Sequence, residues 1–313
     1  MFDRDKMAER ATRLAAQGAF LGTSSWKYSG WRGQLYEDDR YVWKGRFSEA
    51  RFDKLCLAEY AEVFKTVCVD AAYYKFPDGR FIDGLFPQVG DDFRFTFKVT
   101  DQITLKHFPN LPRFGNQAGA KNTDFLNADR FIAEFLSPLL PYRHKIGLLI
   151  FEFSRFRAGD FERGRDFLEI LDAFLSRLPR GWRYGVEIRN HNFLQPLYFE
   201  TLRRHGVAHI HNSWQDMPSL DEQMAAPGSL TASDFFGARL LLRPGRRYED
   251  AVKLFSPYNE IKEVYPEGRA AGVRLIKSAL ASGGRTKGFI YVNNRFEGNA
   301  LHTIEAILDE INP

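Results

Sequence analysis

Short apolar runs, each followed by a longer amphipathic stretch, repeat from one end of this 313-residue chain to the other. There are eight: Phe20–Thr23, Thr66–Ala71, Arg94–Val99, Ile146–Phe151, Arg183–Ile188, Ala208–Asn212, Arg239–Leu242 and Gly288–Asn293. Runs of about 4–6 apolar residues suit parallel strands buried on both faces. Between them, Phe161–Leu178 sets Phe167, Leu168, Leu171, Phe174, Leu175 and Leu178 at the spacing of one buried helix face. Ser48 is placed to cap a helix running to about Phe64. Asn299–Ile311 carries Leu301, Ile304, Ile307, Leu308 and Ile311 on one side. Eight β-then-α units predict an α/β fold, a single (β/α)8 TIM barrel. A doubly wound sheet would normally carry a glycine-rich turn after its first strand. Here the first strand ends Gly22-Thr23-Ser24-Ser25-Trp26, and neither G-x-G-x-x-G nor G-x-x-x-x-G-K-[ST] occurs.

The pattern predicts an N-terminal helical extension, 1–19, with Met7, Ala11, Leu14 and Ala15 on one side, and a barrel domain, 20–313. Three long connections follow strands: 100–122, 213–238 and 243–258. In a barrel they lie at the C-terminal face, where binding loops belong.

With 44% hydrophobic and 27% charged residues, the chain is neither disordered nor a disulfide miniprotein. Lys plus Arg number 44 and Asp plus Glu 40, so the formal charge of +4 makes no polycation. No apolar run approaches the ~18 residues of a membrane span. The N-terminus shows no apolar leader core, and Cys56 and Cys68 form no C-x-x-C motif. A cytoplasmic protein with no membrane partner, no metal and no cofactor is expected.

Residues at strand C-termini converge in a barrel on one mouth. The sequence nominates Trp26, Asp70, Lys98, Glu152, Glu187, Arg189, His211, Asn212, Arg243, Asn293 and Asn294. Glu187 and Arg189 stand two apart in a strand and share a side, with Val186 and Ile188 opposite. Such a pair can be structural, or a carboxylate base beside an anion-binding fork. In Phe93-Arg94-Phe95-Thr96-Phe97-Lys98 the phenylalanines face the helices, which turns Lys98 inward as an anion-binding cation. His209 and His211 could offer two imidazoles to a metal, with Asp70, Glu152 or Glu187 as the third ligand. Trp26, Tyr28, Trp31, Tyr73 and Tyr74 form either a structural cap or a stacking wall for a sugar or base.

These segments resemble the YecE-like family, also called domain of unknown function 72. Gly22 to Trp26, with Tyr28 and Trp31, resembles its opening G-T-S-G-W-x-Y segment, and Asp70-Ala71-Ala72-Tyr73-Tyr74 its N-x-T-[FY]-Y. Phe93 to Lys98 with Ile103-Thr104, Gly185 to Arg189, His205-Gly206, and Asn293-Asn294 with Gly298 follow in the family's order. The resemblance implies a TIM barrel of the xylose-isomerase or endonuclease IV type. Cys68, Asp70, Leu105, Asn190, Asn212 and Pro244 depart from the family pattern, which counts against an endonuclease-like metal site.

The expected function is therefore a metal-independent hydrolase or lyase on a phosphorylated, sugar-containing or nucleic-acid ligand. Glu187, Lys98 and Arg189 would be catalytic, and Trp26, Asp70, Tyr73, Asn212, Arg243, Asn293 and Asn294 would bind the ligand. The alternatives are a non-catalytic binder, or a metal-dependent phosphodiesterase using Asp70, Glu187 and His211.

Overall fold

A computed structural model describes residues 2–311. Eight parallel strands close into a barrel: β1 (Ala19–Thr23), β2 (Thr66–Val69), β3 (Arg94–Lys98), β4 (Ile146–Phe153), β5 (Tyr184–Ile188), β6 (Ala208–Asn212), β7 (Phe235–Leu240) and β8 (Lys287–Val292). Each strand pairs with its neighbours in sequence, and β8 returns to β1 with Phe20 opposite Phe289. Helices lie around this cylinder, so the chain is the expected (β/α)8 barrel. Among the described residues no helix is long and apolar enough to cross a membrane.

Local chemistry starts the helices where the sequence indicates. Ser48 accepts a hydrogen bond from the Arg51 amide and opens the helix Glu49–Val63. Asn299 does the same for His302 at the start of Ala300–Asp309. The helix Arg4–Ala16, begun by Asp3, buries Met7, Ala11 and Leu14, and its Arg10 reaches Asp309 at 2.7 Å.

Three strand boundaries depart from expectation. β2 ends at Val69, and Asp70 opens a turn of 3-10 helix instead of continuing the strand. β4 extends to Phe153, which takes Glu152 into the ladder. β7 begins at Phe235 and ends at Leu240, not over Arg239–Leu242. The reason lies in Leu241 and Leu242: they pack with Ala251 and Phe255 in a small apolar cluster of the following connection. Their hydrophobicity therefore belongs to the loop and not to the ladder.

Alternation sorts each strand into two sides. Phe95, Phe97, Phe151 and Val186 face outward into the main core beneath the helices, and Phe95 packs edge-on against Phe86 at 5.1 Å. Phe20, Cys68, Leu148, Ile150, Ile210, Phe235, Phe289 and Tyr291 fill the interior. The Tyr291 hydroxyl donates to Thr96 Oγ1 at 2.5 Å and lies 2.8 Å from Thr66 Oγ1, which satisfies a polar group deep in that layer. Ile210 needs glycine on both sides. A Cβ at Gly185 would lie 2.4 Å from Ile210 Cδ1, and one at Gly237 would lie 2.6 Å away. Two residues beyond those glycines stand Glu187 and Arg239, where the interior turns from apolar to charged.

Candidate functional site

The C-terminal mouth of the barrel holds a connected set of ion pairs. Lys98 Nζ lies 2.5 Å from Glu152 Oε2, and Arg189 Nη2 approaches the same oxygen at 2.7 Å. Arg189 also contacts Glu187 Oε1 through Nε and Nη2, each at 3.0 Å. Arg239 donates Nη1 to Glu187 Oε2 at 2.9 Å and Nη2 to Asp70 Oδ1 at 2.8 Å. Inward-facing positions of β3, β4, β5 and β7, and the turn after β2, thus place three cations against three carboxylates.

The carboxylates are not equivalent. Glu187 is wholly buried and Glu152 nearly so, whereas the Asp70 side chain keeps 28% of its surface exposed. Burial would raise the Glu187 pKa, but the charges of Arg239, Arg189 and Lys98 outweigh it and hold it below the ordinary carboxylate value. With guanidinium groups on both oxygens, Glu187 is a poor proton acceptor. It holds Arg189 and Arg239 in place. Asp70 is the carboxylate of this set that solvent or a ligand can reach.

Aromatic rings wall the mouth. Lys98 Nζ sits 3.6 Å from the centre of the Tyr73 ring, and the Arg189 guanidinium 3.7 Å from that of Trp214. Arg295, following β8, lies 4.6 Å over Tyr248. Burial raises the pKa of Tyr28 to about 12, with Arg295 and Asp70 acting on it in opposite directions. Arg189 also lines a cleft of about 500 Å³, together with Arg155, Phe156, Arg157, His191 and Phe193.

Several nominated residues contact the fold around the mouth and not the ion pairs. Asn212 donates to the carbonyls of Ile188 and Ile210 and accepts from the Trp214 amide, so it braces backbone. Asn294 Oδ1 accepts from Trp31 Nε1 at 3.3 Å and from the Ala300 amide at 2.8 Å, and Trp31 is fully buried. Asn293 accepts from the Arg295 amide at 2.9 Å. The Nδ2 groups of both asparagines and Trp26 Nε1 are buried without a partner. Arg243 is exposed and rests against Tyr265 at 5.4 Å, outside the ion-pair set.

His209 and His211 point the other way. In β6 it is Ala208 and Ile210 that face the interior. The two imidazoles sit outside the barrel wall with ring centres 4.9 Å apart, and His209 meets Tyr198 and Phe199 of the helix Pro196–Arg204. His211 is therefore across the sheet from Asp70 and Glu187, and the trio of the alternative, metal-dependent reading does not converge. Among the described residues no group of three His, Cys, Asp or Glu side chains is placed to hold a metal ion.

Four residues of the mouth escaped the sequence reading as site candidates: Arg239, Trp214, Tyr248 and Arg295. Arg239 was hidden by the misplaced start of β7. The available signal was the repeated pattern Gly185-Val186-Glu187 and Gly237-Ala238-Arg239, a glycine two residues before an inward charge.

Fold and site together define a parallel (β/α)8 barrel whose mouth is closed by an ion-pair network under an aromatic rim. The sequence profile of the family described as protein of unknown function DUF72 matches residues 20–313, and the chain belongs to that family, as its motifs led us to expect. A DUF72 family protein from Enterococcus faecalis V583 is similar in two crystal structures. Both have a TM-score of 0.62, with 17% and 16% identity, covering 94% and 95% of this chain and 96% and 98% of that one. A DUF72 family protein from Thermotoga maritima MSB8 aligns with a TM-score of 0.61 and 18% identity, over 94% of this chain and 99% of that one. At these identities the likeness establishes the fold. No curated protein matches the chain.

Proposed function

We propose that the barrel mouth binds a phosphorylated ligand carrying a sugar or base ring, of the kind a nucleotide or nucleic-acid strand presents, and acts on it as a metal-independent hydrolase or lyase. The observation that carries this reading is the charge balance. Lys98, Arg189 and Arg239 pair with Asp70, Glu152 and Glu187, while Arg295, set over Tyr248 and hydrogen-bonded to Tyr258, has no carboxylate within ion-pair distance among the described residues. A phosphate would complete the set. Tyr74 and Tyr248, the exposed rings near Asp70, offer stacking surface beside it. Asp70, the exposed carboxylate, would exchange the proton, while Glu152 and Glu187 position the cations. The same burial of Glu152 and Glu187 favours a second reading, a binder with no turnover, in which Asp70 only orients Arg239.

Native mass spectrometry of gently purified protein tests this. A phosphorus-containing adduct on the wild type, lost in Arg295→Gln, is the expected result. Asp70→Asn should retain that adduct and fail to convert it. Conversion at the wild-type rate by Asp70→Asn would overturn the role of Asp70, and a wild type that binds the adduct without converting it would leave only the binding reading. A stoichiometric metal ion stripped by EDTA, or an adduct that Arg295→Gln leaves unchanged, would overturn the proposal.

A further inference from the structure

The opposite end of the barrel gathers cations that no carboxylate pairs with among the described residues. Arg94 opens β3, Lys287 opens β8, and Arg183 immediately precedes β5. Their positions share the inward side with Thr96, Phe289 and Gly185, so all three sit at the barrel's N-terminal end. The Arg183 guanidinium lies 6.0 Å from the ring centre of Phe235, part of the apolar interior layer. Together with Arg143, His144 and Trp182 they line a concavity of about 520 Å³.

The neighbouring carboxylates are engaged elsewhere or stand off. Asp91 pairs with Lys145 at 3.2 Å and His144 at 3.5 Å, and Asp92 pairs with Lys65 at 2.8 Å. Asp234 favours the charge of Lys287 but makes no ion pair with it. Among the described residues no carboxylate comes within ion-pair distance of Arg94, Arg183 or Lys287. Arg94 Nη1 donates only to the carbonyls of Asp91 and Phe93, at 2.6 and 2.8 Å. Arg183 Nε is buried with no hydrogen-bond partner. Burial lowers the pKa of Lys287, and Arg183 and Arg94 lower it further. This face of a TIM barrel ordinarily serves stability, and like charges crowded there reduce it. Their arrangement makes sense with a counter-anion between them.

We propose that the N-terminal end of the barrel is an oligophosphate-binding site, separate from the mouth, with Arg94, Arg183 and Lys287 as its anchors. One phosphate group would satisfy the forked donors of Arg183 and Arg94, and the size of the concavity, within the usual range of small-molecule pockets, leaves room for further phosphates toward Arg143 and His144. Trp182 at the rim has the Arg143 guanidinium 5.6 Å from its ring centre, and a base would stack on the opposite face. Inorganic oligophosphate and a nucleoside triphosphate therefore share the recognised chemistry.

The test is isothermal titration of the full chain with inorganic tripolyphosphate and, separately, with adenosine triphosphate. Saturable binding is expected, weakened at least tenfold in Arg183→Gln/Lys287→Gln and unchanged in Arg243→Gln, an exposed cation outside both sites. The ligand-free double variant should unfold at no lower urea concentration than the wild type, because like charges have been removed. Should it misfold, Lys287→Gln alone, at the half-exposed start of β8, should still weaken binding severalfold. Tighter binding of adenosine triphosphate that Trp182→Ala abolishes would identify a nucleotide; equal affinities would identify the phosphate chain alone. No saturable binding, or binding lost in Arg295→Gln and intact in the double variant, would overturn the site.

Discussion

Arg239 and Glu187 meet over β6: Arg239 Nη1 donates to Glu187 Oε2 at 2.9 Å from β7, with β6 lying between β7 and β5 in the barrel. Both side chains are almost wholly removed from solvent. The second guanidinium nitrogen reaches Asp70, so one arginine joins the charges of β5 and the turn after β2. Arg189 covers the other oxygen of Glu187. The order of this mouth therefore rests on Arg239.

Removing that cation should be costly. Arg239→Gln leaves Glu187 buried with one guanidinium instead of two, and breaking a buried pair from one side costs about 3–5 kcal/mol. Urea unfolding is expected to show a loss of that order with the slope m unchanged. A loss below about 1 kcal/mol would mean that water reaches Glu187 and that the pair is not sealed.

Stability should also depend on pH through β6. Burial lowers the His211 pKa from 6.5 to about 4, and His209 is lowered as well, first by burial and then by His211. A depressed native pKa gives stability that is complete above the unfolded value of 6.5 and is lost as pH falls toward 4. The His211 contribution over that window is roughly 3 kcal/mol. Urea midpoints measured between pH 7 and 4.5 should fall steadily, and His211→Gln should flatten the slope by up to one proton. A wild-type curve flat over this range would show that His211 is protonated in the folded state. Glu187 acts lower still: its stability is present above pH 4.5 and is lost as pH drops through its depressed native value.

Periodicity made the barrel legible. Strong apolar runs and amphipathic helices were enough to place eight strands, and period-2 alternation correctly turned Lys98, Glu187 and Arg189 inward. Alternation failed where the strand's start was misjudged. Reading β7 from Arg239 attached Leu241 and Leu242 to the ladder, and the inward arginine was passed over for Arg243 in the following loop. The outward placement of His209 and His211 was available in principle, since Asn212 at the mouth and His211 cannot share a side. What no pattern could reveal was partnership. That Asn212 braces backbone while Asp70 stays exposed depends on contacts between residues far apart in sequence. The N-terminal cations escaped for a related reason: Arg94, Arg183 and Lys287 are ordinary strand-opening charges until closure of the barrel brings them together.

Anion binding at the mouth should respond to salt and to particular cations. Lys98 keeps Glu152 as partner and Arg295 has no carboxylate, so Lys98→Gln and Arg295→Gln remove attraction without stranding a buried charge unpaired: Glu152 retains Arg189. Each is expected to weaken binding of the identified phosphorylated ligand about tenfold at low ionic strength and to reduce its salt dependence. Arg243→Gln, exposed against Tyr265, should do neither. Fluorescence titrations at two salt concentrations decide it; an effect of Arg243→Gln matching that of Arg295→Gln would move the anion out of the mouth.

The glycines below the ion pairs set their height in the barrel. A methyl group at Gly185 would meet Ile210 Cδ1 at 2.4 Å and Cγ1 at 2.8 Å, far inside van der Waals contact. Ile210 is fully buried and has Gly237 on its other flank, where the space for a Cβ is equally short. Gly185→Ala is therefore expected to cost about 1–3 kcal/mol through overpacking. Ile210→Ala alone should cost about 2–5 kcal/mol through the cavity it leaves. Combined, the two should cost less than the sum of the singles, because the new methyl group occupies space the isoleucine has vacated. The double variant should also return Glu187 toward its native position, read as recovery of the Arg239-dependent stability lost in Gly185→Ala. Strict additivity in urea unfolding would show that the Gly185 side of Ile210 has room to relax and that the glycine there is not what seats Glu187 against Arg239.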